Sequence, residues 1–187
     1  MKTLIIIGAG GHGKVCAEIA ELSGKYSEIY FLDDNEAVDT CLKYKVIGKI
    51  SDIDKYSSEL FFVAIGNNDY RKKIIEEYNL NLVTLIHPSA IVSKYCIIEP
   101  GCVVMANSVL NADVTIGKGC IINTAATIDH DCCIGDFVHI SPGVHLGGTC
   151  SVGQLTWIGI GSTVINNIDI EENRLVKAGS IIKKSIT

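Results

Sequence analysis

The chain has 187 residues, enough for one domain or two small ones, and is 48% hydrophobic yet only 6% aromatic. That hydrophobicity excludes a disordered chain, and a net charge of -5 argues against a general binder of nucleic acid or anionic membranes, which needs a basic excess. No apolar run approaches the ~20 residues of a membrane span. The start, Met1-Lys2-Thr3 running straight into a strand-like segment, lacks a signal-peptide pattern. The expectation is a soluble cytoplasmic protein.

In chain order, residues 2–7 form a continuous apolar run, which predicts a buried parallel strand. Helical spacing follows over 13–23 and ends at Gly24, a C-cap residue. Strands are predicted at 28–32, 60–65 and 82–86, and an amphipathic helix at 69–78. The turn-rich stretch 35–55 yields no assignment. Strands alternating with helices imply a small parallel sheet of βαβ units.

Near His87-Pro88 the composition changes. Nine of the 12 aromatics lie before residue 90, and 23 charged residues fall in the first 87 positions against 14 in the last 100. The expected domains are 1–87 and 88–187. In the second, every sixth residue from Val92 to Ile182 is aliphatic, 16 times without interruption. A small residue usually stands two positions earlier, and glycine often follows the aliphatic directly. This six-residue clock is the signature of a parallel β-helix. Its inward positions take one large and one small side chain per unit, which leaves little room for rings. Five of the eight cysteines (Cys96, Cys102, Cys120, Cys132 and Cys150) occupy the small position. They read as packing residues, and without any C-x-x-C pair neither a zinc ribbon nor a redox motif is suggested. Cys16, Cys41 and Cys133 fall outside the rule. Outward positions are often apolar (Ile91, Ile97, Val103, Val109, Ile121, Trp157, Leu175, Ile181), which marks homo-oligomer contacts, with the N-terminal domain covering part of that surface. A three-sided prism makes a homotrimer the natural assembly.

After the first strand comes Gly8-Ala9-Gly10-Gly11-His12-Gly13, and Asp33-Asp34 follow the second strand. On pattern this is the dinucleotide-binding fingerprint, with glycines that admit a pyrophosphate to the backbone and a helix N-terminus. An NAD-dependent dehydrogenase is rejected. The α/β unit is about half a full dinucleotide-binding domain, a β-helix follows it, and His12 stands ready to hydrogen-bond a diphosphate. A diphosphate-bearing ligand fits without a nicotinamide.

The motifs GAGGHGK (8–14), FLDD (31–34), AIGNNDYRKK (64–73), LIHPSA (85–90), NTAATIDHDCCIGDFVHISPG (123–143) and TWIGIGSTVINN (156–167) resemble those of the bacterial sugar O-/N-acyltransferases of the bacillosamine and sialic acid type. The resemblance implies a Rossmann-like N-terminal domain, a left-handed parallel β-helix, a homotrimer, and acetyl-CoA as co-substrate bound between prisms, with no metal and no NAD. It implies that Gly10, Gly11 and His12 line the diphosphate of a nucleotide-sugar, that Asp33 and Asp34 face its nucleoside, and that Gly66 lies nearby. His130 matches the catalytic base and Asp131 the acidic residue that raises its basicity, with Asp129 as the alternative partner. His139, Gly148, Ile160 and Ala178 match positions touching acetyl-CoA. The family usually continues beyond the last coil to a GVPAK-like motif, whereas this sequence ends at Ile186-Thr187.

The implied reaction is N-acetylation of an amino-sugar on a UDP or dTDP carrier for surface glycan biosynthesis. O-acetylation of sialic acid or a similar sugar is the alternative. A non-catalytic nucleotide-sugar binder and a γ-carbonic-anhydrase-like metal enzyme are weaker readings. The metal reading needs histidines stacked at multiples of 18, and His130, His139 and His145 are separated by 9 and 6.

Overall fold

A computed structural model describes residues 2–187. β1 (Lys2–Ile7), α1 (Gly11–Ser23), β2 (Tyr26–Leu32), β3 (Thr40–Cys41), β4 (Tyr44–Gly48), β5 (Leu60–Val63) and α2 (Asn68–Glu77) build the N-terminal layer. The sheet order is β3-β4-β2-β1-β5, parallel except for the β3–β4 pair. β1 pairs with β2 on one side and β5 on the other, and Leu4 to Ile7 are fully buried, as the unbroken apolar run requires. The helix α1 stops at Gly24, whose φ of +63° is the left-handed C-cap conformation. The stretch 35–55 holds β3, β4 and a 3-10 helix (Ile50–Tyr56), each too short or irregular to leave a periodic signal.

The predicted strand at 82–86 divides. Leu82 makes one bridge to Phe61 of β5, while Leu85–Ile86 pairs with Val103–Val104 and so starts the β-helix. Its apolar residues suit either sheet, and only the long-range pairing decides between them.

From Leu85 the chain winds as a left-handed parallel β-helix with three flat faces. One face stacks the strands that begin at Leu85, Val103, Ile121, His139, Trp157 and Leu175. A second begins at Ile91 and carries Thr127 and His145, and a third begins at Ile97 and carries Cys133. Residues pair with those 18 positions away, as Val109 with Thr127 and Thr127 with His145. Corners recur every six residues from Gly101 to Gly179, each with a residue at positive φ, including Asp131 at +60°. The glycines that follow the inward aliphatics are held by the next coil. A Cβ on Gly153 would stand 2.3 Å from the Glu172 backbone nitrogen.

The interior is the predicted aliphatic column, with the cysteines in line. They do more than fill space. The Cys102 and Cys120 thiols each donate to a carbonyl 15 residues on, Gly117 and Gly135, at 3.0 Å. The hydroxyls of Ser108 and Thr156 do the same at 2.8 Å. The Cys102 and Cys132 sulfurs also accept the backbone N–H of the residue 18 on. The small position is therefore a hydrogen-bonding one, which serves corner carbonyls with no strand partner.

The N-terminal layer sits on the first face. Val103 and Ile121 point outward from the prism yet are buried, because they pack in one cluster with Cys16, Ile19 and Ala20 of α1. Cys16 and Cys41 are buried members of this cluster, while Cys133 lies exposed on the third face. In a second cluster, Ile74 and Ile75 of α2 pack with Phe137 of the prism.

Candidate active site

The glycine loop joins β1 to α1. Gly8 and Gly13 are fixed by packing: a Cβ on Gly13 would lie 2.1 Å from the Gly8 carbonyl oxygen. Gly10, Gly11 and Gly66 differ, for nothing lies within 4 Å of an added Cβ. They border open space at the N-terminus of a 13-residue helix whose Gly10 N-cap gives no side-chain hydrogen bond. Free backbone N–H groups there attract an anion. Asp33 supports this loop: its carboxylate accepts from Ala9 N–H at 2.6 Å and from Asn35 N–H at 2.8 Å. Asp34 accepts from Ile50 N–H at 2.9 Å and also borders a cleft of about 300 Å³ with Ser51, Tyr70 and Lys73. Of the two aspartates, Asp34 opens onto a cavity and Asp33 braces the loop.

His12 turns inward, with Nε2 3.7 Å from the Cys16 sulfur. Burial, with the nearby Arg71 charge, lowers its pKa to about 4. His139 lies on the first face of the prism and stacks on Trp157 with ring centroids 4.8 Å apart and planes at 16°. Burial lowers its pKa to about 3, reinforced by Arg71 and His12, while the Gly66 backbone opposes the fall. Its Nε2 meets the Asn123 amide at 3.2 Å, and Nδ1 is buried without a hydrogen bond among the described residues. Both imidazoles are neutral at pH 7. The Trp157 indole N–H donates to Ser141 Oγ at 2.8 Å. These side chains open a cleft of about 590 Å³, which also includes Ile160 and Ala178.

His130 sits elsewhere, at the corner between the second and third faces. Its side chain is 57% exposed, and its Nδ1 is 2.6 Å from Asp131 Oδ2. The bond to Asp131 raises its pKa above the ordinary 6.5, and the Asp129 charge adds to this. Asp129 Oδ1 accepts the His130 backbone N–H at 2.8 Å and the Asn111 amide at 2.8 Å. Asp131 is thus the ring partner and Asp129 the backbone one. With Nδ1–H directed at a carboxylate, Nε2 presents a lone pair. The ring lies over Gly148, where a Cβ would be 2.7 Å from Cε1. These residues border a cleft of about 510 Å³ with Asn166 and Asn167.

The predicted residues therefore form three groups. Gly10, Gly11 and Gly66 border open space around the glycine loop, and His12 and the Gly66 backbone lie close enough to His139 to act on its ring. His139, Ile160 and Ala178 share one cleft, whereas Gly148 lies against His130 in another. Within one chain the three histidines of the metal reading lie apart: His139 is buried on the first face, His145 bonds Thr127 on the second at 2.8 Å, and His130 pairs with Asp131. The burial of Arg71 and the partner of Asn123 carry no sequence signal, because they depend on residues 16 to 66 positions away, and Trp157 is legible only as an outward apolar residue, not as the partner of His139.

A left-handed prism of hexapeptide coils, bearing a carboxylate-paired histidine at a corner and an apolar cleft along one face, defines a transferase of the hexapeptide-repeat class. Residues 3–78 match the PglD N-terminal domain, and residues 95–130 match the bacterial transferase hexapeptide (six repeats). The chain belongs to the bacterial sugar acyltransferase family of this type. It is 39% identical over 113 residues to UDP-N-acetylbacillosamine N-acetyltransferase of Bacillus subtilis (strain 168), a match covering 57% of this chain and 52% of that protein, so it spans about half the length of that curated relative. It is 42% identical to the acetyltransferase domain of PglB from Neisseria gonorrhoeae FA1090, solved in complex with acetyl coenzyme A, with a TM-score of 0.96 over 99% of this chain and 92% of that one. PerB from Caulobacter crescentus, solved in complex with CoA and GDP-perosamine, is 35% identical with a TM-score of 0.93 over 100% of this chain and 91% of that one.

Proposed function

We propose that the protein is an acetyl-CoA-dependent N-acetyltransferase acting on the amino group of a nucleotide-linked amino-sugar, with His130 as general base. The observation that carries the reading is the His130–Asp131 pair over Gly148, at a corner open to solvent. An amine attacks a thioester only as the neutral species. The Nε2 lone pair takes the proton as the C–N bond forms, and the thiolate leaves as the tetrahedral intermediate collapses. General-base help of this kind contributes ~10²–10⁴-fold. Asp131 holds the ring in the reactive tautomer and stabilises the imidazolium that forms.

The nucleotide-sugar binds at the glycine loop, with its diphosphate on Gly10, Gly11 and His12 and its nucleoside toward Asp34. His12 is neutral there and contributes a hydrogen bond, not a charge. Acetyl-CoA occupies the cleft of His139, Ile160 and Ala178, whose apolar walls suit the pantetheine arm. Residues 1–87 thus bind the sugar nucleotide and 88–187 carry the transfer.

A homotrimer completes the site. Ile91, Ile97, Leu175 and Ile181, spread over the three outer faces, are 60–73% exposed in the single chain, apolar side chains that neighbouring prisms would cover. The His130 cleft and the His139 cleft share no residue within one chain, and a neighbouring copy can join them. Eight free cysteines suit a reducing cytoplasm. Among the described residues no helix is long and apolar enough to cross a membrane.

The test is release of CoA thiol from acetyl-CoA with UDP-, dTDP- and GDP-4-amino-sugars and with sialic acid. Turnover on amino-sugar nucleotides is expected, with a trimer by light scattering. His130→Ala should abolish turnover in a folded protein. Near-normal kcat in that variant, or a monomer in solution, overturns the shared-site mechanism.

A further inference from the structure

Among the described residues Arg71 is the largest fully buried side chain, 1% exposed, in a helix segment (DYRKKIIEE) that reads as solvent-facing charge. No carboxylate lies within ion-pair distance of it among the described residues. Its N–H groups go to neutral oxygens on both sides of the domain boundary. Nη1 donates to the Ile65 and Gly66 carbonyls at 2.8 and 3.3 Å, which fixes the loop beside the glycine fingerprint. Nε donates to Gly119 O at 2.7 Å and Nη2 to Phe137 O at 2.9 Å, both on prism corners. Nη2 also donates to Asn68 Oδ1 at 2.8 Å, and the Asn68 amide in turn reaches Leu155 O at 2.9 Å.

A buried charge is expensive unless an opposite charge answers it. Hydrogen bonds to carbonyls satisfy the donors but leave the net charge in place. Its field reaches both histidines that flank the loop, His12 and His139, and helps hold them neutral. Neither can therefore supply positive charge to an anion on Gly10 and Gly11. Among the described residues Arg71 is the buried cation at this boundary, and the Gly66 loop beside it opens onto free space.

We propose that Arg71 is a positioning residue for the sugar-nucleotide site: its buried, carboxylate-free guanidinium locks the Gly66 loop to the prism and supplies the positive field that a diphosphate on the glycine loop neutralises. The inference rests on the nucleotide-sugar reading above. It assigns diphosphate selectivity to a residue behind the loop that does not touch the ligand.

The primary test measures binding and does not depend on turnover. The probe is whichever of UDP, dTDP and GDP the wild type binds most tightly by calorimetry, with the corresponding uncharged nucleoside and acetyl-CoA as references. Arg71→Met, which removes the charge, should weaken the diphosphate at least tenfold while nucleoside and acetyl-CoA affinities stay within about threefold. The His12 imidazole, followed by NMR, should titrate at higher pH in that variant. Equal losses for diphosphate and nucleoside would make Arg71 a merely structural residue and overturn the proposal, as would unchanged diphosphate affinity. Should Arg71→Met not fold, Arg71→Lys and Asn68→Ala carry the test. Both keep the cation and loosen its anchors, so diphosphate affinity should stay within about threefold while kcat falls about tenfold. An unaltered kcat in both variants overturns the positioning role. A wild type that binds none of the three diphosphates refutes the nucleotide-sugar reading and this inference with it, whereas wild-type binding with an indifferent Arg71→Met refutes this inference alone.

Discussion

Replacing Gly148 with alanine would place a methyl carbon 2.7 Å from Cε1, 2.8 Å from Nε2 and 3.2 Å from Nδ1 of His130. Carbon contacts normally settle near ~3.5–4.0 Å, so the ring must retreat by about 1 Å. Gly148 is not among the positive-φ glycines, so its backbone accepts alanine without strain. His130 is 57% exposed, so its ring can rotate toward solvent at little cost. The fold should therefore hold, with unfolding free energy within ~0.5 kcal/mol, as for ordinary surface changes. Catalysis should not hold. A misplacement of about 1 Å in a catalytic group costs ~10²-fold, and rotation also breaks the 2.6 Å bond to Asp131. Since that bond is the main cause of the raised His130 pKa, the pKa should fall back toward 6.5. The assay is kcat and the pH profile of kcat/KM for thiol release, with melting temperature as control. About 10²-fold lower kcat and an acid limb moved to lower pH are expected. A folded Gly148→Ala enzyme with kcat within threefold of wild type and an unmoved limb would refute a fixed His130 ring as the base.

Two further predictions concern the pair and the interior. His130 acts as a base only when neutral, so its raised pKa places the acid limb of kcat/KM above 6.5, and activity is lost as pH falls through it; Asp131→Asn should move that midpoint down and lower kcat, and an unchanged midpoint would remove Asp131 as partner. Cys120 is fully buried with its thiol on Gly135 O at 3.0 Å, so Cys120→Ala should cost ~1–3 kcal/mol in urea unfolding and Cys120→Ser less, whereas equal costs would show that volume alone counts.

Part of the site is legible in the sequence. His130 and Asp131 are neighbours along the chain, so their pairing requires only a corner that turns both outward. The glycine fingerprint and the 13-residue helix behind it are equally local. Asp33 and Asp34 look alike in the sequence, yet one braces Ala9 while the other borders a cleft, because Asp33 reaches the glycine loop and Asp34 accepts the first N–H of the 3-10 helix sixteen residues on. The cysteines read as small apolar fillers. That they donate to carbonyls 15 residues on follows from the winding of one coil over the next.

The β-helix follows from the sequence alone, because one backbone geometry repeats every six residues and imposes its period on the side chains. The α/β layer follows too, since an unbroken apolar strand flanked by helical spacing has few other uses. What lies against what is settled only in three dimensions. Arg71 looks like a solvated helix cation until five acceptors from two domains close over it. Gly148 looks like a turn residue until the ring of His130, one coil earlier, lies across it. Val103 and Ile121 belong to an apolar surface that the sequence divides between subunit contacts and the N-terminal domain, and only the packing of α1 assigns these two to the domain. A periodic pattern records which way a side chain points, whereas its partner, its burial and hence its charge state are set by segments that approach from elsewhere in the chain.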